Sequence, residues 1–146
     1  MADEPVHKRL FTLAEANAAI PELAARVERL RSLRDEMRRD KELLDILWQR
    51  LDAGETLLSA IGERTKIVDA QNAEFEELVT AIESDGIVLR DLDPGIADFP
   101  AKVRGIPVYL CWRSGEPRIQ FWHGIKDGFA GRKPIQSIEE GPPQVN

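Results

Sequence analysis

Two runs of apolar residues, each advancing by alternate steps of four and three and separated by one short break, constrain this chain more than any other feature. The first passes through Leu23, Val27, Leu30, Arg34, Met37, Lys41, Leu44, Trp48 and Leu51, the second through Leu57, Ile61, Arg64, Val68, Gln71, Phe75, Leu78 and Ile82. Such spacing is the seam of one α-helix packed along another. Asp52-Ala53-Gly54 interrupts the pattern, and Ser84-Asp85-Gly86 ends it with a glycine suited to the left-handed position after a helix. Thr12-Leu13-Ala14-Glu15 has the form of a capping box that starts the first helix. Pro21, about two turns further on, predicts a kink or a restart. A short break between two long seams implies an antiparallel hairpin over residues 12–86. Folding about Gly54 sets Leu30 against Leu78 and Val27 against Ile82, and places Lys41 near Val68, Arg64 near Leu44, Gln71 near Met37 and Arg34 over Phe75. Leu33, Leu43, Leu47, Leu58 and Val79 fall off the seam, so a homodimer through the hairpin is expected.

Charge divides the chain at the same place. Residues 1–86 carry 12 basic and 19 acidic side chains, and residues 87–146 carry 8 and 7, for a net charge of −6. The one basic run, Arg26 to Lys41, is diluted by Glu28, Asp35, Glu36 and Asp40, which argues for a solvated helix face and against a nucleic-acid surface. Cys111 is the single cysteine, so no disulfide forms within the chain. No segment approaches the run of about 18 apolar residues that spans a membrane, and the first ten residues lack the apolar core of a signal peptide. A cytoplasmic protein without membrane or nucleic-acid partners is expected.

The remaining segment concentrates chemistry. Six of the nine aromatic residues lie between Asp91 and Pro134. Ile87 to Leu89 reads as a short strand, Asp93-Pro94-Gly95 as a turn, and Phe99 before Pro100 as extended. Val108–Arg113 and Arg118–His123 read as the arms of a β-hairpin around Ser114-Gly115. With a two- or four-residue loop, one face collects Val108, Leu110, Trp112, Ile119, Phe121 and His123, and the other Tyr109, Cys111, Arg113, Glu116, Arg118, Gln120 and Trp122. Bringing Cys111 to His123 requires a three-residue loop or a bulge. The fold expected is thus α+β: a long antiparallel helical hairpin followed by a small, mostly antiparallel sheet docked near the helix ends distal to Gly54. The organisation expected is one domain over residues 1–138, with the β segment at 87–138 and a disordered tail at 139–146.

Three chemistries suit these residues. A polar, aromatic-lined site built from Asp91, Asp98, Tyr109, Cys111, Arg113, Glu116, Trp122 and Arg132 would bind a small anion or a protein partner. The glycines of Gly128-Phe129-Ala130-Gly131, beside Arg132 and Lys133, could add backbone amides to an anion site. A divalent transition metal held by Asp93, Asp98, Glu116 and His123 would support a hydrolase. Acid-base or nucleophilic work would fall to Asp98 or Glu116 as base and Cys111 as nucleophile, its thiol activated by nearby cations. The binding module is the preferred reading and the metal-dependent hydrolase its alternative.

Several motifs together resemble a small, uncharacterised prokaryotic family, domain of unknown function 2203. They are Phe11-Thr12-Leu13-Ala14-Glu15-Ala16-Asn17, Asp91-Leu92-Asp93 with Gly95, Asp98-Phe99-Pro100, Tyr109-Leu110-Cys111-Trp112-Arg113 with Gly115-Glu116, Trp122-His123, and Gly128-Phe129 with Gly131-Arg132. The resemblance runs from Phe11 to about Ile135. It implies that the segment from Asp91 to Arg132 does more than pack, and it brings no activity, substrate or cofactor with it.

Overall fold

The computed structural model describes residues 6–140. Two long helices, α1 (Leu13–Asp52) and α2 (Leu58–Ser84), are followed by a five-stranded antiparallel sheet in chain order: β1 (Val88–Asp91), β2 (Ile96–Val103), β3 (Ile106–Arg113), β4 (Phe121–Gly124) and β5 (Lys133–Pro134). The fold is α+β with a helical hairpin. Short 3-10 helices cover Phe129–Gly131 and Ile135–Glu140. Of the expected tail at 139–146, residues 141–146 lie outside the described residues. No helix among the described residues is long and apolar enough to cross a membrane. Residues 28–80 form one compact unit, and of the other described residues 6–27 together with 81–140 form another.

Within residues 28–80 the two helices run antiparallel, as ion pairs and hydrogen bonds between them show. Arg29 holds Glu74 through two bonds of 2.7 and 2.9 Å, and Asp40 accepts from Gln71 at 2.6 Å and from Arg64 at 2.7 Å. The covered stripe of α1 here reads Leu30, Leu33, Met37, Asp40, Leu44, Leu47 and Leu51. It keeps Met37, Leu44 and Leu51 of the expected seam and takes Leu33, Asp40 and Leu47 where Arg34, Lys41 and Trp48 were expected. Leu33 and Leu47 are buried, at 0% and 8% exposure, whereas Lys41 is exposed and Trp48 is 47% exposed. Apolar side chains occupy both 47 and 48, and a helix of 3.6 residues per turn drifts against a 3.5-residue pattern, so the sequence spacing alone left this phase open. The shift replaces Lys41 with Asp40, whose carboxylate meets the Arg64 and Gln71 heads that the seam brings inward. Leu33 and Leu47 are therefore covered by the chain itself, while Leu43 and Leu58 remain 37% and 66% exposed.

In the other unit the capping box forms as expected: Thr12 N donates to Glu15 Oε1 at 2.9 Å and Glu15 N to Thr12 Oγ1 at 3.1 Å. α1 continues through Pro21 without a break. The sheet docks on the helix ends distal to Gly54, with Ile119 N donating to Asn17 Oδ1 at 2.7 Å and Phe11 meeting Phe99 edge to face at 5.0 Å. Phe99 before Pro100 is extended, as expected, and lies inside β2. Pro100 lies beyond the last β1 pair, Val88 with Asp98, and its carbonyl accepts from Phe11 N at 2.7 Å. The β2–β3 turn at Arg104-Gly105 has positive φ at both residues (53° and 79°), the two-residue hairpin geometry that matches strand twist.

The β3–β4 connection decides the faces of the sheet. Seven residues, 114–120, separate the strands, and Tyr109 pairs with His123, Leu110 with Trp122 and Cys111 with Phe121. Residues directly opposite each other share a face. Phe121 and His123 therefore join Tyr109 and Cys111, and Trp122 joins Leu110 and Trp112. The face assignment made from a two- or four-residue loop is corrected by this odd-length loop. The apolar face, with Phe99, Val108, Leu110, Trp112 and Trp122, is fully buried, as are Ala16, Ile20, Leu23, Val27 and Ile82 of the helix ends. Burying a single such side chain contributes about 1.5 to 3 kcal/mol, and this layer holds many.

Gly95 is the tightest point of that packing. Its φ is +100°, and a Cβ there would lie 2.9 Å from Ser114 Cβ and 3.2 Å from Val27 Cγ1. Gly95→Ala should destabilise the protein by about 2 to 4 kcal/mol, combining backbone strain with overpacking. Gly105→Ala, with positive φ but open space around it, should cost only about 1 kcal/mol. Urea denaturation of the two variants checks this; equal losses would mean that the close approach at Gly95 is not real.

Candidate functional site

The polar face of the sheet carries a buried cluster. Asp98 on β2, Cys111 and Tyr109 on β3 and His123 on β4 are each at most 2% exposed. Asp98 stands opposite Cys111 across β2–β3, and Tyr109 opposite His123 across β3–β4, so register alone gathers them. His123 Nε2 lies 3.0 Å from Asp98 Oδ1, and His123 Nδ1 lies 2.8 Å from the Gly124 carbonyl. Both neighbours are acceptors, so the ring satisfies both only as an imidazolium. Arg90 completes the cluster. It is the extra residue of a β-bulge between Leu89 and Asp91, and its Nε donates to Asp98 Oδ2 at 2.9 Å.

Burial opposes charge on this pair, and hydrogen bonding overrides it. Burial pushes the Asp98 carboxyl up, but the bond and charge of His123, then those of Arg90, hold it below its ordinary 3.8. Burial pulls His123 down, but Asp98 and the Gly124 carbonyl raise it above 6.5 against the charge of Arg90. Cys111 behaves oppositely to the activated thiol expected of a nucleophile. Burial, then the Asp98 charge, pushes it up to about 12, with Arg132 opposing, so the thiol stays protonated at neutral pH. Tyr109 closes one side, its hydroxyl 2.7 Å from His7 Nε2 and its ring under the Arg90 guanidinium at 4.9 Å. His7 itself is lowered, by burial and then by Arg90.

A recess of about 390 Å³ opens beside the cluster, lined by Arg90, Asp91, Ile96, Asp98, His123, Ile125, Lys126, Gly128 and Phe129. Of the residues singled out from sequence, Asp91, Asp98 and His123 reach it, as do Gly128 and Phe129 of the glycine-containing loop. Cys111 and Tyr109 lie beside Asp98 and His123 in the buried layer. Glu116 and Arg132 form a second group, paired at 2.7 Å, with Arg132 Nη2 also 3.4 Å from the Cys111 carbonyl and its guanidinium over Phe121 and Phe129. Arg132 Nε is buried without a hydrogen-bond partner. Glu116 also accepts from Arg113 N, while the Arg113 side chain is exposed. Asp93 lies exposed on the β1–β2 turn, where its amide donates to Asp91 Oδ1. Trp122 belongs to the apolar face, its Nε1 donating to Ser137 Oγ at 3.0 Å.

The expected metal set of three carboxylates and one histidine is thus divided: Asp98 and His123 meet, and Asp93 and Glu116 stand elsewhere. Among the described residues, Asp98, Cys111 and His123 are the group whose donor atoms converge. Sequence reasoning missed Arg90, Lys126 and His7. The bulge that re-aims Arg90 leaves no local signature, and His7 reaches Tyr109 across 102 residues of chain. The β2–β3 turn at Arg104-Gly105 was the available signal that would have found β2 and, with it, the Asp98–Cys111 pairing.

The sequence model of a family described as an uncharacterized conserved protein, DUF2203, matches residues 9–135. No curated protein and no solved structure matches the chain.

The Asp98–His123 pair sets a pH window. The raised His123 contributes stability that is full below its unfolded value near 6.5 and lost as pH rises through the folded one. The depressed Asp98 contributes stability present above 3.8 and lost as pH falls through its folded value. Stability from the pair should peak between these limits. In Asp98→Asn the His123 ring should titrate lower than in the parent, burial and the Arg90 charge then being opposed only by the Gly124 carbonyl, and NMR titration of the imidazole checks this. An unchanged titration would remove the pair from consideration.

Proposed function

The chain belongs to the DUF2203 family, and from the chemistry of its polar sheet face we propose that it is a binding module that takes a small anionic ligand in the recess beside Asp98 and His123. The carrying observation is the balance of charge in that recess. Arg90, Lys126 and the imidazolium of His123 line it against two carboxylates, and Asp98 already has both oxygens engaged by His123 and Arg90. That leaves the exposed Lys126 ammonium and the outer guanidinium nitrogens to meet an anion. Phe129, Ile125 and Ile96 offer an apolar wall to the rest of the ligand. The volume falls in the range of about 300 to 1,000 Å³ usual for small-molecule sites. A small carboxylate or phosphate ester with a compact apolar body is the class that suits these walls.

Self-association belongs to the same proposal. Leu43, Ile46, Trp48, Leu58 and Ile67 of residues 28–80 are each between 37% and 66% exposed, an amount of apolar surface that a second copy of the hairpin would cover. A metal-dependent hydrolase, the alternative reading, would have to work from Asp98 and His123 without Asp93 and Glu116.

Titration of the protein with inorganic phosphate and with benzoate, followed by amide chemical shifts, tests the ligand reading. Shifts should centre on Arg90, His123 and Gly128, and Lys126→Gln should weaken binding roughly tenfold, about 1.4 kcal/mol. Shifts centred elsewhere, or binding indifferent to Lys126, would overturn it. Sedimentation analysis should give a dimer that Trp48→Glu dissociates; a monomer at high concentration would remove the self-association.

A further inference from the structure

Three metal-ligating side chains of different chemistry meet in the buried layer behind the recess. One ligand atom each from Asp98, Cys111 and His123 lies within 4.8 Å of the others, and all three residues are buried. We infer that they form a site for a divalent transition metal of the zinc class, held by Asp98 Oδ1, Cys111 Sγ and His123 Nε2. This set differs from any acidic cluster because each donor comes from a separate strand, β2, β3 and β4. The inference stands on these three side chains and not on the anion reading.

Two features of the surroundings favour metal binding over simple packing. His123 Nδ1 donates to the Gly124 carbonyl at 2.8 Å, which fixes the ring and turns Nε2 toward Asp98. That outer hydrogen bond is the one metal-bound imidazoles use to set their tautomer. Arg90 occupies the other Asp98 oxygen at 2.9 Å, so Oδ1 is the atom left for a metal. Zinc bonds of about 2.0 to 2.3 Å place tetrahedral ligand atoms roughly 3.3 to 3.8 Å apart, so the observed spread needs only small side-chain rotations to close.

The charges balance. Without metal the three donor side chains hold a carboxylate, an imidazolium and a neutral thiol, which sum to zero beside the Arg90 guanidinium. On binding, the divalent ion gains bonds to sulfur, nitrogen and oxygen; the Cys111 S–H and His123 Nε2–H bonds break, and two protons leave to solvent. Carboxylate, thiolate and divalent ion again sum to zero, which a buried site favours. Mixed nitrogen, oxygen and sulfur donors suit zinc, cobalt(II) or iron(II). Three protein ligands leave a position for water or a ligand atom, the number that catalytic zinc sites keep, and Asp98 and His123 both reach the recess.

Cobalt(II) added to chelator-treated full-length protein tests this. One equivalent should produce a thiolate-to-cobalt absorption in the near ultraviolet and visible bands of a four-coordinate ion, and zinc should abolish both. Zinc should also slow the reaction of Cys111 with a thiol reagent in the unaltered protein, a readout that needs no variant. Cys111→Ser should lose the near-ultraviolet band, and Asp98→Asn and His123→Gln should weaken zinc at least tenfold. Asp69→Asn, on the exposed face of α2, should leave the cobalt spectrum unchanged. Absence of the thiolate band in the unaltered protein, or zinc uptake equal in Cys111→Ser and His123→Gln to that of the parent, would overturn the assignment.

Discussion

The pairing of Tyr109 with His123 across β3 and β4 is the constraint on which the polar face depends. A shift of one residue in either strand would turn His123 to the helix side and replace it with Trp122 or Gly124, because side chains alternate with a period of two. The apolar layer opposes any such slip. Leu110, Trp112 and Trp122 are at most 1% exposed on the other face, and moving Trp122 out of that layer would forfeit several kcal/mol of burial. The large apolar side chains thereby fix the position of the polar ones on the opposite face.

What results is a charge cluster held against its own desolvation. Asp98 and His123 sit at 2% exposure, where isolated ions would be neutralised, and they remain ionised because every polar atom facing inward has a partner: Arg90 on one carboxylate oxygen, His123 on the other, Gly124 O on the far ring nitrogen. Cys111 shares the environment without a partner of opposite charge strong enough to ionise it. A thiol kept protonated beside a carboxylate and an imidazole is a poor nucleophile, yet a divalent ion would reverse its protonation. The same residues thus read as inert chemistry in one state and as a donor set in another.

Residues 28–80 solve a different problem with similar means. Arg64 and Gln71 interrupt the apolar seam of α2, and the turn of α1 that puts Asp40 rather than Lys41 on the covered stripe sets its carboxylate to receive both. Burial of charge is again accompanied by a hydrogen-bonded counterpart, here partly open to solvent, where each ion pair contributes little by itself. The seam therefore tolerates polar positions because the Arg64 guanidinium and the Gln71 amide nitrogen are paired across it, and because long stems can cover apolar neighbours.

Helix extents, the capping box at Thr12, the break at Gly54, the terminator at Gly86 and the α+β order were all legible along the chain, since each is written in local periodicity and in residues with restricted backbone preferences. Asp98, Cys111 and His123 were legible as chemistry but not as neighbours. Their convergence required the seven-residue β3–β4 loop and the strand around Pro100, and no short window of sequence encodes a loop's parity; the bulge that adds Arg90 to them is equally unmarked. Local structure follows from the torsions and spacing of adjacent residues, so the sequence by itself determined the elements. Which side chains share a buried face depends on pairings between strands distant in the chain, selected by the packing of the whole apolar layer, and only the tertiary structure decided that.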